Sequence, residues 1–436
     1  MNTIITIPKI LFYPIINIII LFILGFGLTQ LIIPRQLKKY SLWLTPWVTI
    51  IFSIFFLVII SLFGLSVKQA IWPLILCFLS TDIYALFNIR KIYFKIDIKK
   101  NFFIACIVLL SLTLNLSPLI RRDRILTTIS LGNNDIIAYT TVGDYLKNHS
   151  ISESFKTKVD TTTDNLLHDG YRWGTPIINS FFLSLLNLEG YQYTYAAQTV
   201  LFALFIPLVF ILFEILFTQS LIGTLIITIL TGFNVNLLYM LYHDFFGQVL
   251  FWGLELVLFI LFYSYLHSDL IKKNKLNIYD YLLGITVTVL FFSYHEPAFF
   301  MFAPIGLFII LKFIFDKKKS LSYIQAIIRI GLISLISGSV SIINAVIFDF
   351  KQAFMSNPNQ PIGWQLFRNK IPFANPFEAM GFYSIHNFEP MPTLIAVILS
   401  VFVILVILKG VLNSKYRLLT ICNLTVFFFF LYWTGI

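Results

Sequence analysis

Acidic residues that could act as a base or bind a metal lie in the polar stretches between long apolar runs. Asp135 ends the sequence Ser-Leu-Gly-Asn-Asn-Asp, and apolar or small residues follow it at Ile136, Tyr139, Gly143 and Leu146. This three-to-four spacing predicts a short interfacial helix that begins at Asp135. A carboxylate in the first turn of a helix lies near free N–H groups and stays ionised, which suits a general base or a metal ligand. The alternative is that Asp135 only begins the helix.

Two adjacent pairs, His243-Asp244 and His295-Glu296, lie in short polar breaks between apolar runs. Such turns can converge above a bundle, and histidine together with a carboxylate can bind a divalent cation. An adjacent pair has no diagnostic ligand spacing, so polar turns that end helices at the water boundary are the alternative. Pro297 favours this alternative for Glu296, because proline is common at the first position of a helix.

Arginines beside aromatic residues are candidates for binding phosphate. Arg172 precedes Trp173, and Arg368 follows Trp364 by four positions. The planar guanidinium can hold two oxygens of a phosphate at once. Pairs of arginine and tryptophan also anchor proteins at the edge of a membrane, and both interpretations stay open.

The composition shows which elements must position these residues. Of the 436 residues, 58% are hydrophobic and 12% are charged, whereas soluble domains have about 25% charged residues. Apolar runs of about 20 residues recur, which is the length that crosses a bilayer as a helix. This composition excludes secreted disulfide scaffolds, DNA-binding proteins and Rossmann enzymes. It predicts an all-α polytopic membrane protein.

Basic clusters between the apolar runs orient the predicted spans. About twelve transmembrane helices are expected, near residues 10–33, 43–66, 70–89, 102–120, 195–217, 221–241, 249–266, 279–294, 298–315, 323–347, 392–411 and 418–434. The formal net charge of +11 comes largely from the short loops, which argues against nucleic acid as a partner. Because such loops stay in the cytoplasm, the basic clusters are predicted to share the cytoplasmic face.

The apolar segment 176–188 tests this topology. Its 13 residues would cover about 20 Å as a helix, short of a hydrocarbon core of about 30 Å. A crossing here would also turn the later lysine clusters outward, against the usual charge bias. We therefore predict that it lies along or partly in the outer interface, as the second of two juxtamembrane helices in an outer-face loop.

Five regions follow from this topology. They are an N-terminal four-helix membrane region at 1–120, an extracytoplasmic loop with juxtamembrane helices at 121–194, membrane core helices at 195–348, a second extracytoplasmic loop at 349–391 and C-terminal membrane helices at 392–436. Four ionisable residues fall within the spans, at Asp82, Glu214, Glu255 and Arg329. Glu214 and Arg329 lie near predicted cytoplasmic ends, where a side chain can reach the interface at little cost in free energy. Asp82 and Glu255 lie deeper in their spans, where an ionised side chain costs more.

The order of features around the first outer loop resembles GT-C membrane glycosyltransferases. The loop has an early acidic residue, Asp135, on a short helix. It continues with His-Asp-Gly-Tyr-Arg-Trp-Gly-Thr-Pro at 168–176, a second short helix, and Gly-Tyr-Gln-Tyr at 190–193 before a long span. The resemblance covers roughly residues 102–315. Four predicted spans precede the loop here, whereas the family's loop usually follows the first span.

The resemblance implies an enzyme that moves a sugar from a polyprenyl-phosphate carrier, an isoprenoid-linked donor, to a glycan, lipid or protein acceptor. Transfer would occur on the extracytoplasmic face with inversion, in the plasma (inner) membrane of a bacterium. Asp135 would be the general base, and Asp244, with or without a divalent cation, would position the acceptor or the donor phosphate. The predicted substrate-binding residues are Arg172, His243, His295, Glu296 and Arg368.

Two other functions compete with this one. A flippase or transporter of cell-envelope glycans needs cationic residues at membrane depth, and only Arg329 is available there, near one end of its span. A lipid-linked oligosaccharide polymerase needs outer arginines against pyrophosphate, and Arg172 and Arg368 fit that requirement. Release of sugar from a polyprenyl-phosphate donor separates an enzyme from a carrier.

Overall fold

The structure, a computed structural model, is built from helices. It describes residues 2–88, 97–122, 127, 135–157, 159–169, 172–217, 221–273, 275–295, 298–315, 317–355, 390–413, 417 and 420–425. Helices make up 89% of this part of the chain, and it contains no strands. The predicted all-α class is confirmed.

Seventeen helices are numbered here in chain order. They are α1 (Asn2–Ile32), α2 (Ser41–Leu62), α3 (Val67–Phe87), α4 (Ile98–Asn115), α5 (Ser117–Arg122), α6 (Asp135–Asn148), α7 (Ile151–Ser154), α8 (Thr161–Asp164), α9 (Gly174–Leu186), α10 (Gly190–Phe217), α11 (Leu221–Gly232), α12 (Val235–Tyr242), α13 (Phe246–Leu266), α14 (Ile278–Ser293), α15 (Ala298–Phe315), α16 (Lys317–Met355) and α17 (Pro390–Leu412). Shorter 3-10 turns lie at Arg35–Tyr40 and Asp269–Lys273, and a π turn lies at Asn165–Asp169.

Seven helices in the described part of the chain are long and apolar enough to cross a membrane. They cover Ile10–Ile32, Arg35–Leu62, Val67–Phe87, Ile98–Asn115, Gly190–Leu216, Phe246–Leu266 and Leu321–Phe348. The chain therefore has the helices of a multi-pass membrane protein. The predicted span 221–241 is two helices, α11 and α12, which are separated at Phe233 and Asn234. Most of the predicted span 418–434 and of the predicted loop 349–391 lies outside the described residues.

The chain divides into two compact units. Unit 1 consists of Met1–Gly232, Met240–His295 and Arg329–Ile342, and unit 2 consists of Phe233–Tyr239, Glu296–Ile328 and Ile343–Ile436. The candidate functional residues that the structure describes, from Asp135 to His295, lie in unit 1. The five regions expected from the sequence stay a prediction.

Close helix crossings in unit 1 depend on small residues. A side chain at Gly253 of α13 would overlap the ring of Trp47 on α2, and the Trp47 indole N–H donates to the Leu204 carbonyl at 2.9 Å. In the same way, Gly27 of α1 lies against the backbone of Asp82 on α3, and its N–H donates to the Asp82 carboxylate. Asp82, one of the two costly carboxylates, therefore has a structural role at a helix crossing.

Charged residues gather at one end of unit 1, which we call the basic end. The Glu214 carboxylate near the end of α10 lies 2.9 Å from Lys100 of α4 and 3.6 Å from Lys39. Asp280, in the first turn of α14, lies 3.0 Å from Arg329. The opposite end contains the start of α10, the start of α13 and the end of α14.

Both termini of helix α9 lie at the end of unit 1 that is opposite the basic end. Thr175 near its start donates to the Ser293 carbonyl at the end of α14, at 2.9 Å. Just after its end, the Leu188 carbonyl accepts from Lys147 of α6, also at 2.9 Å. Both contacts of this 13-residue helix lie at the same end of unit 1, and its non-crossing path stays a prediction. Unlike a free interfacial helix, however, it is buried at every residue of 174–183.

Candidate functional site

Polar and aromatic side chains from four parts of unit 1 surround Arg172 at the opposite end. We call Asp135, Tyr139, Arg172, Gln248 and Tyr294 the arginine cluster. The guanidinium carbon of Arg172 lies 4.8 Å from the centre of the Tyr294 ring. Arg172 also hydrogen-bonds the Tyr139 phenol and interacts electrostatically with Asp135. The Gln248 amide donates to the Tyr294 hydroxyl at 3.0 Å.

The packing of α6 against α9 positions Asp135 and Tyr139. The predicted helix that begins at Asp135 is confirmed, and Ile136, Tyr139, Gly143 and Leu146, which share one of its faces, are all buried. The Asn179 amide of α9 donates to the Tyr139 carbonyl at 3.1 Å. A methyl group at Gly143 would lie only 2.5 Å from this amide nitrogen. Asp135 lies one turn before Tyr139, so both side chains reach the same cluster.

Arg172 is held by the chain just before α9. Its backbone N–H donates to the Leu166 carbonyl at 3.2 Å. The next residue, Trp173, is 1% exposed, and its indole N–H donates to the Leu167 carbonyl at 2.8 Å. The Trp173 ring also packs on Phe292, with ring centres 6.0 Å apart. Trp173 is therefore a core residue of unit 1, and the membrane-anchor interpretation of this Arg-Trp pair does not fit its burial.

The start of α13 closes the cluster from a third side. A methyl group at Gly247 would lie 2.7 Å from the Tyr139 hydroxyl and 2.9 Å from a ring carbon of Tyr294. The neighbouring Phe246 meets the Tyr139 ring edge to face, with ring centres 5.7 Å apart. Glycine at 247 therefore lets the α13 backbone approach both tyrosines.

Burial and charge set the protonation of the cluster. Burial alone would lower the pKa of Arg172, but Tyr139, Tyr294 and Asp135 outweigh it, and the pKa is raised. Burial raises the pKa of Tyr139, and the nearby Tyr294 and Asp135 raise it further, against the opposing effect of Arg172. The site therefore combines a permanent cation, a neutral phenol and a carboxyl group. Such a set can bind an anion and accept a proton beside it.

Asp244 belongs to a neighbouring group around Asn115. It is buried in the turn between α12 and α13 with a left-handed φ of 60°, and it interacts electrostatically with Tyr195. The Tyr195 hydroxyl donates to the Asn115 carbonyl at 3.0 Å, and the Tyr242 hydroxyl donates to the Asn115 side chain at 3.1 Å. Asp244 thus interacts with Tyr195 of the Asn115 group, whereas Asp135 interacts with Arg172 of the arginine cluster.

The histidines of the two predicted pairs differ in their surroundings. His243 is half-buried and stacks on Phe245, with ring centres 6.3 Å apart, while His295 is fully buried. Within the described residues, no group of three histidine, cysteine or acidic side chains could hold a metal ion. Glu296 and Arg368, the other predicted substrate-binding residues, lie outside the described residues.

Gln248 and Tyr294 were not predicted as members of the site. Gln248 is a polar residue in the first turn of an apolar helix, and Tyr294 directly precedes His295. A polar residue at the start of an apolar helix is a usable signal, but it does not show which partner the residue meets. The role of Tyr294 depends on the end of α14 meeting Arg172, and no local pattern encodes that meeting.

Comparisons with protein-family models, with curated proteins and with solved structures found no match for this chain. The resemblance to GT-C glycosyltransferases therefore stays a prediction, and the chemistry of the site is inferred from its own residues.

Proposed function

We propose that the chain is a GT-C-like membrane glycosyltransferase that moves a sugar from a polyprenyl-phosphate carrier to an acceptor on the extracytoplasmic face. One observation carries this proposal: Asp135 and Arg172 belong to one cluster at the end of unit 1 opposite the basic end. Transfer from a phosphate carrier needs a base for the acceptor and a cation for the leaving phosphate. The two residues supply both.

In the proposed reaction, Asp135 takes a proton from an acceptor hydroxyl while the hydroxyl oxygen attacks the anomeric carbon. The bond between this carbon and the carrier phosphate breaks, and the phosphate leaves with the electron pair. A single displacement inverts the anomeric carbon. Arg172 offsets the charge that grows on the phosphate, and Tyr139 and Tyr294 hold the guanidinium in place.

A donor phosphate bound at Arg172 would lie in the same cluster as Asp135. The acceptor hydroxyl that Asp135 deprotonates would then lie beside the donor. Asp244 would act in the adjacent polar group, by positioning the acceptor or the donor.

The proposal includes a topology of about twelve spans in a bacterial plasma membrane. Lys39, Lys100 and Arg329 share one end of unit 1, which supports a cytoplasmic basic end under the usual charge bias. The arginine cluster would then face the extracytoplasmic side. An isoprenoid-linked donor could reach it from the outer leaflet.

The test is an assay of the full chain in liposomes with undecaprenyl phosphate linked to a panel of hexoses and pentoses. Released undecaprenyl phosphate is measured in the presence of membrane extract as a source of acceptors. Asp135→Asn is expected to lower release by about 10²- to 10⁴-fold, the usual contribution of a general base. Asp164→Asn is the matched control, because Asp164 lies in the same segment but pairs with His168 at 3.6 Å, outside the cluster.

Three outcomes would contradict the proposal. Full activity of Asp135→Asn would reject the role of this residue as the base. Movement of lipid-linked oligosaccharide across the liposome without sugar release would indicate a flippase. Lengthening of lipid-linked repeat units, without transfer from the monophosphate donors, would indicate a polymerase.

A further inference from the structure

Glu255 lies near the middle of α13, far from water at either end. It lies nine positions after Phe246 at the start of the helix and eleven positions before Leu266 at its end. At 1.5 Å per residue these distances are about 14 Å and about 17 Å, so the carboxyl lies near the centre of a hydrocarbon core of about 30 Å.

The other carboxylates of the spans that the structure describes have polar partners. Asp82 accepts from the Gly27 N–H, Glu214 lies 2.9 Å from Lys100, and Asp280 lies 3.0 Å from Arg329. Glu255 makes no hydrogen bond or ion pair with any described residue. An ionised carboxylate without a partner at this depth costs several kcal/mol, whereas a protonated carboxyl does not carry this cost.

Glu255 lies on the less buried side of α13. Gln248, Trp252, Glu255, Phe259 and Phe262 recur at three-to-four spacing and are partly exposed. The residues beside this stripe, Leu254, Val257 and Leu258, are buried in unit 1. The carboxyl therefore does not fill a closed position in the core, and a small molecule or a proton carrier can approach it.

The helices that pack on α13 have no charged side chain at the depth of Glu255. Helix α2 has no titratable side chain, and the charged residue of α10, Glu214, lies at the basic end. In α14 the charged residue is Asp280, also at the basic end, where it pairs with Arg329. The acidic and basic residues of α6 and the arginine cluster lie at the opposite end. Tyrosines of α10 and α14 likewise lie near the helix ends, at Tyr191, Tyr193, Tyr195, Tyr279 and Tyr281, as do Tyr263 and Tyr265 of α13.

We propose that Glu255 is a proton-binding site at membrane depth, which holds a proton in the resting protein and can exchange it. The ligand of the site is a proton. This inference does not rest on the proposed glycosyltransferase activity, because it depends only on the position and surroundings of Glu255. Gln248 of the same stripe contacts Tyr294 of the arginine cluster, so the stripe runs from the candidate site to this carboxyl.

The test uses the chemistry of carbodiimides. A protonated carboxyl adds across one N=C bond of dicyclohexylcarbodiimide: the proton goes to nitrogen and the carboxyl oxygen bonds to the central carbon. Migration of the acyl group to nitrogen then gives a stable N-acylurea that keeps all atoms of both reactants. Because dicyclohexylcarbodiimide is apolar, it reaches carboxyls within a bilayer.

The full chain in liposomes is treated with this reagent at about pH 6 and at about pH 9, and the adduct is located by peptide mass spectrometry. We expect an adduct on Glu255 that is absent in Glu255→Gln and is retained in Asp82→Asn. Each pH unit above the midpoint of the group lowers the protonated fraction about tenfold, so the yield should fall at the higher pH. A water-soluble carbodiimide with an added amine should leave Glu255 unmodified.

Three results would overturn the inference. They are the absence of an adduct on Glu255 in folded protein, a yield that does not change with pH, and equal modification by the water-soluble reagent. The variant Glu255→Gln gives an independent check, because glutamine mimics the neutral acid. It should keep the thermal unfolding midpoint within about 3 °C of the original protein, and a larger loss would show that the ionised form is the native one.

Discussion

Arg172 shows how a buried cation is accommodated at the scale of a single residue. Its guanidinium lies over the Tyr294 ring at 4.8 Å and bonds the Tyr139 phenol. Both contacts depend on a planar, delocalised cation, and lysine supplies neither in the same geometry. The type of Arg172 and its aromatic neighbour Trp173 mark it as a candidate site residue. The ring that it contacts, Tyr294, lies more than a hundred positions later in the sequence, so this contact cannot be predicted.

Replacing Arg172 separates charge from shape. Arg172→Lys keeps the charge but loses the stacked geometry, so we expect at least a tenfold loss of transferase activity with partial loss of stability. Arg172→Gln removes the cation from a buried group and should cost about 3 kcal/mol of unfolding free energy. Thermal unfolding in detergent measures the loss of stability, and the donor-release assay measures the loss of transferase activity. Tyr294→Phe is the control, because it keeps the ring over which Arg172 lies and loses the hydrogen bond from Gln248, and a hydrogen bond is worth about 1 kcal/mol. An Arg172→Lys protein with unchanged activity would show that the guanidinium shape is irrelevant.

Gly247 is the second residue on which the cluster depends. A methyl group there would lie 2.7 Å from the Tyr139 hydroxyl, so Gly247→Ala should cost about 1–3 kcal/mol through overpacking. The matched control is Gly306→Ala on α15, where no atom lies within 4 Å of the added carbon. This control should be neutral or stabilise by up to about 1 kcal/mol, because alanine favours helix. Equal unfolding temperatures for the two variants would contradict the close approach at Gly247.

At the scale of elements, a polar network ties α16 to α13 and α14 at the basic end. Arg329 of α16 donates to Asp280 at 3.0 Å and to the Tyr265 hydroxyl at 2.9 Å, and Tyr265 donates to Asp280 at 2.7 Å. Asn277 completes the network as the cap of α14, with a bond of 2.9 Å to Asp280. The network lies at the end of a helix, so its charged groups can lie outside the hydrocarbon core. Arg329 therefore has a structural role, because its charge is paired within this network.

Removing one partner of this network should be costly. Asp280 is fully buried, so Asp280→Asn leaves the Arg329 charge poorly compensated and should lower the unfolding free energy by about 3 kcal/mol. Adding Arg329→Gln should cost less than the sum of the two single changes, because the charges interact directly. The double-mutant cycle is measured by denaturation in detergent. Lys275→Gln, an exposed change at the same end, should have little effect. Additive costs in the cycle would show that the pair contributes no coupling.

Some elements follow from sequence patterns, and others depend on context. The apolar face of α6 is readable because Ile136, Tyr139 and Leu146 repeat at helical spacing and are buried. The break between α11 and α12 is not readable, because Asn234 and Asn236 are isolated polar residues in a long apolar run and mean hydropathy averages over them. The burial of α9 does not follow from the sequence either. The length of the helix indicates only that it is short for a span, and it does not show how many helices surround it.

At the scale of the whole molecule, the proposed function depends on which helix ends meet. The basic end joins the 3-10 turn Arg35–Tyr40 to α4, α10 and α14. The contacts are those of Lys39 and Lys100 with Glu214 and that of Tyr279 with Gln36 at 3.4 Å. The opposite end joins α6, α9, α13 and α14 around Arg172. Sequence reasoning could predict this polarity because lysines and arginines cluster in short loops. It could not predict that Asp135 interacts with Arg172 or that Asp244 interacts with Tyr195, because tertiary packing determines these contacts.

Cysteine labelling of the intact membrane tests this polarity and the path of α9 together. Cys77, Cys106 and Cys422 are first replaced by serine or alanine, and single cysteines are placed at three exposed positions, Thr157, Glu189 and Lys275. Because Thr157 precedes α9 and Glu189 follows it, both should react with a membrane-impermeant maleimide from the outside if α9 does not cross. The cysteine at Lys275, which follows α13, should react only after the membrane is permeabilised. Labelling of the Thr157 and Glu189 positions from opposite sides would make α9 a crossing helix, and the start of α10 and the arginine cluster could then no longer share one aqueous face.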